Sequence, residues 1–292
     1  MQKKILIQTN EKQFIGAKVA KYSFEKKLTD KSIEVSFIKT SEYPIFAKKE
    51  GKLHLRKGVK SRWKNDLQNF TPTRFLAAEI MNYEGRALVI DPDIFANVDA
   101  TPLFEMDMQG KSILTRKINS NNTHYWASSA MLLDCQQLKH WKWQENFEQL
   151  FTYKRDYRSW MNLDYEDQTS IGELEKKWND FDNLDEETCF LHTTSRLTQP
   201  WKSGLPIDFS VSEKKRPKDL LSRILYKLGL KTDSSKTKKG CYLPHPDKNI
   251  EKFFYTLLKE TIDSGIISTK ELKREIKAKN IRPDSFDILK LI

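Results

Sequence analysis

An α/β fold is predicted, with a mainly parallel sheet flanked by helices and a helical extension at the C-terminus. Three observations lead there. Apolar runs of strand length alternate with helical periodicities through residues 1–212, as in sheets built from crossover units. The run Ala87, Leu88, Val89, Ile90 has no polar alternation, which marks a strand buried on both faces. Beyond Phe209 the strand-like runs stop and helical stripes take over.

Taken in order, residues 3–9 (KKILIQT) predict a first strand, and 11–28 a helix with Phe14, Ala17, Val19, Ala20 and Phe24 apolar. Residues 33–39 alternate, a second strand; 41–70 are basic and without periodicity. Thr71 as N-cap and Pro72 at the first helical position start a helix carrying Phe75, Leu76, Ala78, Ile80 and Met81. The strand ending at Asp91 follows. Strands at 112–117 and 125–134, helices at 136–151 and 167–177, and a short last strand at 188–192 complete the series. The division expected is 1–212 for the sheet domain and 213–292 for a basic, mainly helical region. That region holds a basic helix near 217–229 and a linker near 232–240. An amphipathic helix at 249–264, stopped by Gly265, and a helix opened by a Ser268–Glu271 capping box follow.

Composition narrows the function classes. Nothing approaches 18 consecutive apolar residues, so no membrane span is expected. The N-terminal apolar patch is four residues, too short for a signal peptide. Cys135, Cys189 and Cys241 are odd in number and far apart, which argues for a reduced, cytoplasmic protein without a disulfide framework. The net charge is +11, and residues 213–292 hold 20 Lys and Arg against 11 Asp and Glu. The basicity therefore belongs to the tail, which suits an anionic partner or a merely solvated surface. No nucleic-acid-binding motif is present, so a nucleic-acid partner is not expected.

In sheets of this kind ligands bind beyond the carboxyl ends of the strands. That rule selects Thr9-Asn10, Asp91-Pro92-Asp93 and His192. Residues two apart share a face, so Asp91 and Asp93 can point the same way. Two carboxylates side by side repel unless a positive group lies between them. A set of two Asp and one His suits a hard divalent ion, Mn²⁺ or Mg²⁺, with positions open for phosphate oxygens. An exposed turn and a packed histidine are the plain alternatives. D-x-D occurs twice, and Asp180-Phe181-Asp182 reads as a surface turn after a helix. Trp126, Trp141, Trp143, Trp160 and Trp178 read as core more readily than as sugar-stacking faces. Lys57, Lys60, Arg62 and Lys64 either guide an anionic donor or form a solvated loop.

Four blocks carry a resemblance. Arg74…ALVIDPDIFANVDATPLFEMD, with Asp99, Leu103 and Phe104, ASSAMLLDC (127–135), Asp167-Gln168 and HTTSRLTQPW (192–201) occur in one order over residues 3–202. Together they resemble the GT-A-fold glycosyltransferases, closest to glycosyltransferase family 8, the group of glycogenin and bacterial galactosyltransferases. The resemblance implies metal-dependent, retaining transfer of a sugar from a nucleotide sugar, usually a UDP-sugar, to a glycan, lipid-linked or protein acceptor. It places Mn²⁺ or Mg²⁺ on Asp91, Asp93 and His192, and the nucleotide beside Thr9 and Asn10. Arg74 is placed at the donor phosphate or sugar, and Asp167 and Gln168 at the reacting carbon.

The departures are specific. Ala127 and Ser129 replace an Asn and a Gly, Ser195 replaces a Gly, and Thr198 and Gln199 stand where the family has Lys. Arg196 or Lys202 is then the expected source of positive charge. A degenerate GT-A domain that binds a glycan or nucleotide without chemistry is the alternative these changes raise. The basic stretch 213–230 is expected to meet a membrane surface, at the inner face, or to pack on the sheet domain.

Overall fold

The computed structural model describes residues 1–120, 123–211, 236–237 and 240–292. In chain order the strands are β1 (Lys3–Thr9), β2 (Glu34–Lys39), β3 (Leu53–Arg56), β4 (Val59–Arg62), β5 (Arg86–Ile90), β6 (Ile94–Ala96), β7 (Ile113–Ser120), β8 (Thr123–Asp134), β9 (Ile171–Glu173), β10 (Asp180–Phe181), β11 (Phe190–His192), β12 (Ser210–Val211) and β13 (Lys236–Thr237). The helices are α1 (Phe14–Lys27), α2 (Ile45–Lys49), α3 (Ala77–Ile80), α4 (Thr101–Glu105), α5 (Trp143–Phe151), α6 (Tyr157–Met161), α7 (Lys248–Asp263), α8 (Thr269–Lys277) and α9 (Ser285–Leu291).

The main sheet has the order β2-β1-β5-β8-β7-β9. Only β8 runs against the rest, since it pairs antiparallel with both β5 and β7 while the other pairings are parallel. Period-2 alternation sends Ile5, Ile7, Leu88, Ile90, Ala130 and Leu132 into one core, and Leu6, Ala87, Val89, Met131 and Leu133 into the other. The sheet is thus buried on both faces, which is why 87–90 carries no polar residue. A second sheet, β10-β11-β6, extends one core beyond the C-terminal end of β5.

Several sequence expectations shift. Residues 167–177 are not a helix: a 3₁₀ turn at Gln168–Ser170 leads into β9, which pairs with β7, Ile171 beside Ile113. Pairing at the sheet edge outweighs a local pattern only two apolar residues deep. The helix expected at 136–151 is two pieces, a 3₁₀ turn at Cys135–Leu138 and α5. Thr71 does not cap a helix; its hydroxyl donates to the Gln68 carbonyl and sits against the Tyr157 hydroxyl, and Thr71–Leu76 is 3₁₀ before α3. The strand at 188–192 is β11 and belongs to the second sheet. Asp180 lies in β10, almost fully buried, so the second D-x-D is not a surface turn.

The basic stretch 41–70 is structured as well. It contains α2 and the β3–β4 hairpin, whose turn places Lys57 at φ 55° and Gly58 at φ 74°. Two consecutive left-handed residues are what a tight hairpin of this hand requires. His54 of β3 is buried between the rings of Trp63, Phe151 and Tyr157, with no hydrogen-bond partner at either ring nitrogen. Burial, aided by the nearby Arg56, pushes its pKa down from 6.5 to about 4. The unfolded chain then binds a proton that the folded chain refuses. Stability is full above pH 6.5 and falls by roughly 3 kcal/mol as the pH drops toward 4. Urea unfolding across this range, compared with His54→Phe, checks it: the variant should lose that part of the acid sensitivity.

The C-terminal helices close the opposite core. The Phe254 ring of α7 stacks on Trp201 at 4.7 Å, Phe95 meets both edge-on, and the Arg282 amide donates to the Trp201 carbonyl. Ser268 caps α8 by accepting from the Glu271 amide, but the capping box is only half formed because the Glu271 carboxylate is taken by Lys18; Gly265 ends α7 at φ 76°. The basic helix near 217–229 and most of the linker near 232–240 lie outside the described residues. Among the described residues no helix is long and apolar enough to cross a membrane.

Candidate active site

Three strand ends converge because of register. Asp91 follows the last residue of β5, its amide held by the Ser129 carbonyl of β8. The chain turns at Pro92 and enters β6, which runs antiparallel to β11 with Ile94 opposite His192. The Thr193 amide then donates to the Asp93 carbonyl at 3.1 Å. This pairing seats the imidazole beside Asp93. Helix α1 is pressed against the same turn at Gly16, where a Cβ would stand 3.0 Å from the Pro92 carbonyl oxygen and 3.1 Å from the Trp201 ring. Only glycine allows that approach without displacement.

One ligand atom from each of Asp91, Asp93 and His192 lies within 4.8 Å of the other two. Asp91 Oδ1 accepts from Arg74 Nη2 at 2.9 Å and from the buried Gln8 amide. Arg74 Nη1 donates to Ser128 Oγ, which in turn donates to the Met161 carbonyl. Burial pushes the Asp91 pKa up, with Asp93 adding to it and Arg74 opposing. Asp93 Oδ2 accepts from Gln199 Nε2 at 3.0 Å, while Oδ1 is buried without a hydrogen-bond partner.

Asn179 holds the histidine ring. Its Nδ2 donates to Ser129 Oγ at 3.1 Å, leaving Oδ1 to face His192 Nδ1 at 2.8 Å. On the other side of the ring, His192 Nε2 lies 3.4 Å from Asp93 Oδ1. The space between Asp93 Oδ1 and His192 Nε2 takes either a proton or a cation, and the oxygen, oxygen, nitrogen set with Asp91 is one that Mn²⁺ or Mg²⁺ accepts. Partners that orient a metal-binding histidine typically govern affinity by 10- to 100-fold. Asn179→Ala should weaken Mn²⁺ binding by about that factor in a calorimetric titration. Unchanged affinity would deny Asn179 the orienting role.

The cluster opens into a cleft of about 350 Å³. Arg74, Arg158 and Arg196 line it, as do the rings of Phe70, Tyr125, Trp126 and Phe181. Arg196 packs over Phe209 at 4.6 Å and donates to Gln68. Lys202 is elsewhere: fully buried, 3.7 Å from Asp208 and beneath Tyr242, its pKa pushed by burial down to about 8. Thr9 and Asn10 are buried behind the cleft wall. The Asn10 amide donates to the carbonyls of Asp66 and Leu67 and to Asn69, which pins the loop that supplies Leu67, Gln68 and Phe70.

Asp167 and Gln168 are exposed and not among the lining residues. Asp167 caps its 3₁₀ turn through Thr169, and Gln168 Nε2 donates to the Leu163 and Glu166 carbonyls. Gln168 Oε1 accepts from the Trp126 indole at 2.9 Å and so orients a cleft-lining ring. Of the five tryptophans considered, Trp141, Trp143, Trp160 and Trp178 are core, and Trp126 alone of them lines the cleft.

Sequence reasoning missed Gln8, Asn179, Gln199, Tyr125 and Arg158. Gln8 had a signal, a polar residue in the apolar run ILIQ. It follows Ile7, which pairs with Ile90, and so lies beside Asp91. Asn179 had none: it reaches His192 only because β10 lies alongside β11.

No protein-family model matches the sequence, and none of the curated proteins matches it. Solved structures do. The apo form of the glycosyltransferase GlyE from Streptococcus pneumoniae aligns with a TM-score of 0.51 at 14% identity, over 91% of this chain and 64% of that one. A second GlyE structure gives 0.50 at 13% identity, over the same shares of each chain. The galactosyltransferase LgtC with donor and acceptor sugar analogues gives 0.49 at 12%, over 68% of this chain and 89% of that one. The chain therefore spans just under two thirds of GlyE. Its fold is the GT-A fold of such transferases: a mainly parallel sheet with an acidic turn at the end of a central strand.

Proposed function

We propose that the chain is a glycosyltransferase that takes a sugar from a nucleotide-sugar donor, a UDP-sugar, with retention of configuration. The observation that carries this is the convergence of Asp93 Oδ1 and His192 Nε2, 3.4 Å apart, with Asp91 at the mouth of a cleft lined by three arginines. Asp91, Asp93 and His192 would hold Mn²⁺ or Mg²⁺. When bound there, the ion supplies positive charge against the departing nucleoside diphosphate.

The protein's own groups do the rest. Arg74, Arg158 and Arg196 present guanidinium groups to phosphate oxygens, for which a planar fork is well matched. Tyr125 and Trp126 offer ring faces to the base or the sugar, and Gln168 fixes the angle of the indole. Gln199, where the related enzymes carry Lys, holds Asp93 with a neutral amide. The positive charge in this corner then falls to Arg196. We assign donor binding to residues 1–212, with the helices after residue 240 bracing them, and the acceptor to a glycan, lipid-linked or protein hydroxyl.

The experiment is a panel of nucleotide sugars with Mn²⁺, read as nucleoside diphosphate release with and without candidate acceptors. Release from at least one UDP-sugar that depends on the ion supports transfer. A second reading, binding without chemistry, is favoured by the exposed, self-bonded Asp167 and Gln168. UDP binding with no release from any donor selects that reading, and no binding at all overturns both.

A further inference from the structure

A second cavity, about 500 Å³, lies between α2, the start of β3 and α5, apart from the cleft. Lys48, Lys49 and Lys52 line one side, Gln144 and Glu148 the other, and Phe151 and Tyr153 close its end. Lys49 stands 4.9 Å from the Phe151 ring centre and Lys60 stands 4.0 Å from that of Tyr153. None of Lys48, Lys49 and Lys52 forms an ion pair among the described residues, and neither does Glu148. Three ammonium groups and a carboxylate thus share one groove without closing on one another.

The composition points to a ligand class. Three lysines without a carboxylate partner among the described residues, one of them over the Phe151 ring, suit an anion. Gln144 and Glu148 are one helical turn apart on α5, so they share a face and present amide and carboxylate oxygens together. A carboxylate repels a bare polyphosphate but accepts hydrogen bonds from hydroxyls. Tyr153 is 39% exposed, an aromatic surface left for a sugar ring to cover. Anion, hydroxyls and an apolar ring face combine in one kind of molecule.

We propose that this groove binds an acidic oligosaccharide, one whose sugars bear carboxylate or phosphate groups. The lysines hold the anionic substituents, Gln144 and Glu148 take the hydroxyls, and Tyr153 packs on a ring. The site does not depend on chemistry at the cleft. Leu53 of β3 lines the groove, and Arg56 of the same strand lies 4.6 Å over Tyr157, the neighbour of Arg158.

The test is calorimetric binding of tetragalacturonate and of a phosphorylated mannotetraose. Maltotetraose, inorganic polyphosphate and a single-stranded oligonucleotide serve as comparisons. One or both acidic tetrasaccharides should bind more tightly than every comparison, and which one binds separates carboxylate from phosphate. K48Q/K49Q/K52Q should weaken that binding at least tenfold. Tyr153→Ala should weaken it while leaving polyphosphate unchanged. UDP binding, measured on the same variants, should not move and reports on the cleft alone. The proposal is overturned if neither acidic tetrasaccharide binds, if maltotetraose binds equally, or if polyphosphate or the oligonucleotide binds more tightly. It also falls if the triple variant binds as the parent does.

Discussion

Asp93→Asn is expected to abolish measurable Mn²⁺ binding and to lower nucleotide-sugar turnover by at least about 10²- to 10³-fold, the usual loss when one electrostatic contact to developing charge is removed. The substitution conserves volume, and an amide oxygen can still accept from Gln199 Nε2, so the turn should keep its shape. What changes is the charge at Oδ1, the buried oxygen that faces His192 Nε2 across 3.4 Å. With that charge gone the site keeps one carboxylate, Asp91, which is already shared with Arg74 and Gln8. Mn²⁺ titration followed by electron paramagnetic resonance, alongside kcat/KM for the best donor, decides the matter. A variant that keeps a tenth of the parental turnover removes the ion from the mechanism.

Trp201→Ala should cost about 3–5 kcal/mol of stability, the range for truncating a fully buried aromatic residue. The indole is inaccessible to solvent, stacks on Phe254, meets Phe95 edge-on and touches α1 at Gly16. Its removal leaves a void where the second sheet, α1 and α7 meet. The effect should reach the site, because Gln199 precedes Trp201 by two residues and holds Asp93. Urea unfolding gives the stability loss and Mn²⁺ titration the loss in affinity. A change below about 1 kcal/mol would mean that the C-terminal helices are not braced through this ring.

Much of the strand framework is legible in residue order. Burial on both faces demands continuous apolar runs, and so 3–9, 87–90 and 125–134 announce themselves. Each chain end of a parallel strand must stop at a polar residue, which marks Asp91 and His192. The small elements are less legible. At β9, two apolar residues support a strand only because β7 offers an open edge. In β3–β4, Lys57-Gly58 is a readable turn signal, but the basic residues around it hide the inward-facing His54.

By itself the sequence determined the α/β class, the carboxylate pair and the histidine as strand-end groups, and the basic character of the tail. These follow from local rules: period, polarity and spacing act over a few residues. Only the tertiary structure decided that β6 and β11 pair with Ile94 opposite His192, bringing Asp93 and His192 together across a hundred residues. It alone decided that Asn179 meets the His192 ring, that Arg196 lines the cleft, and that Lys202 does not. Register between distant strands is a property of packing, and a one-residue slip would have turned the same side chains to the other face.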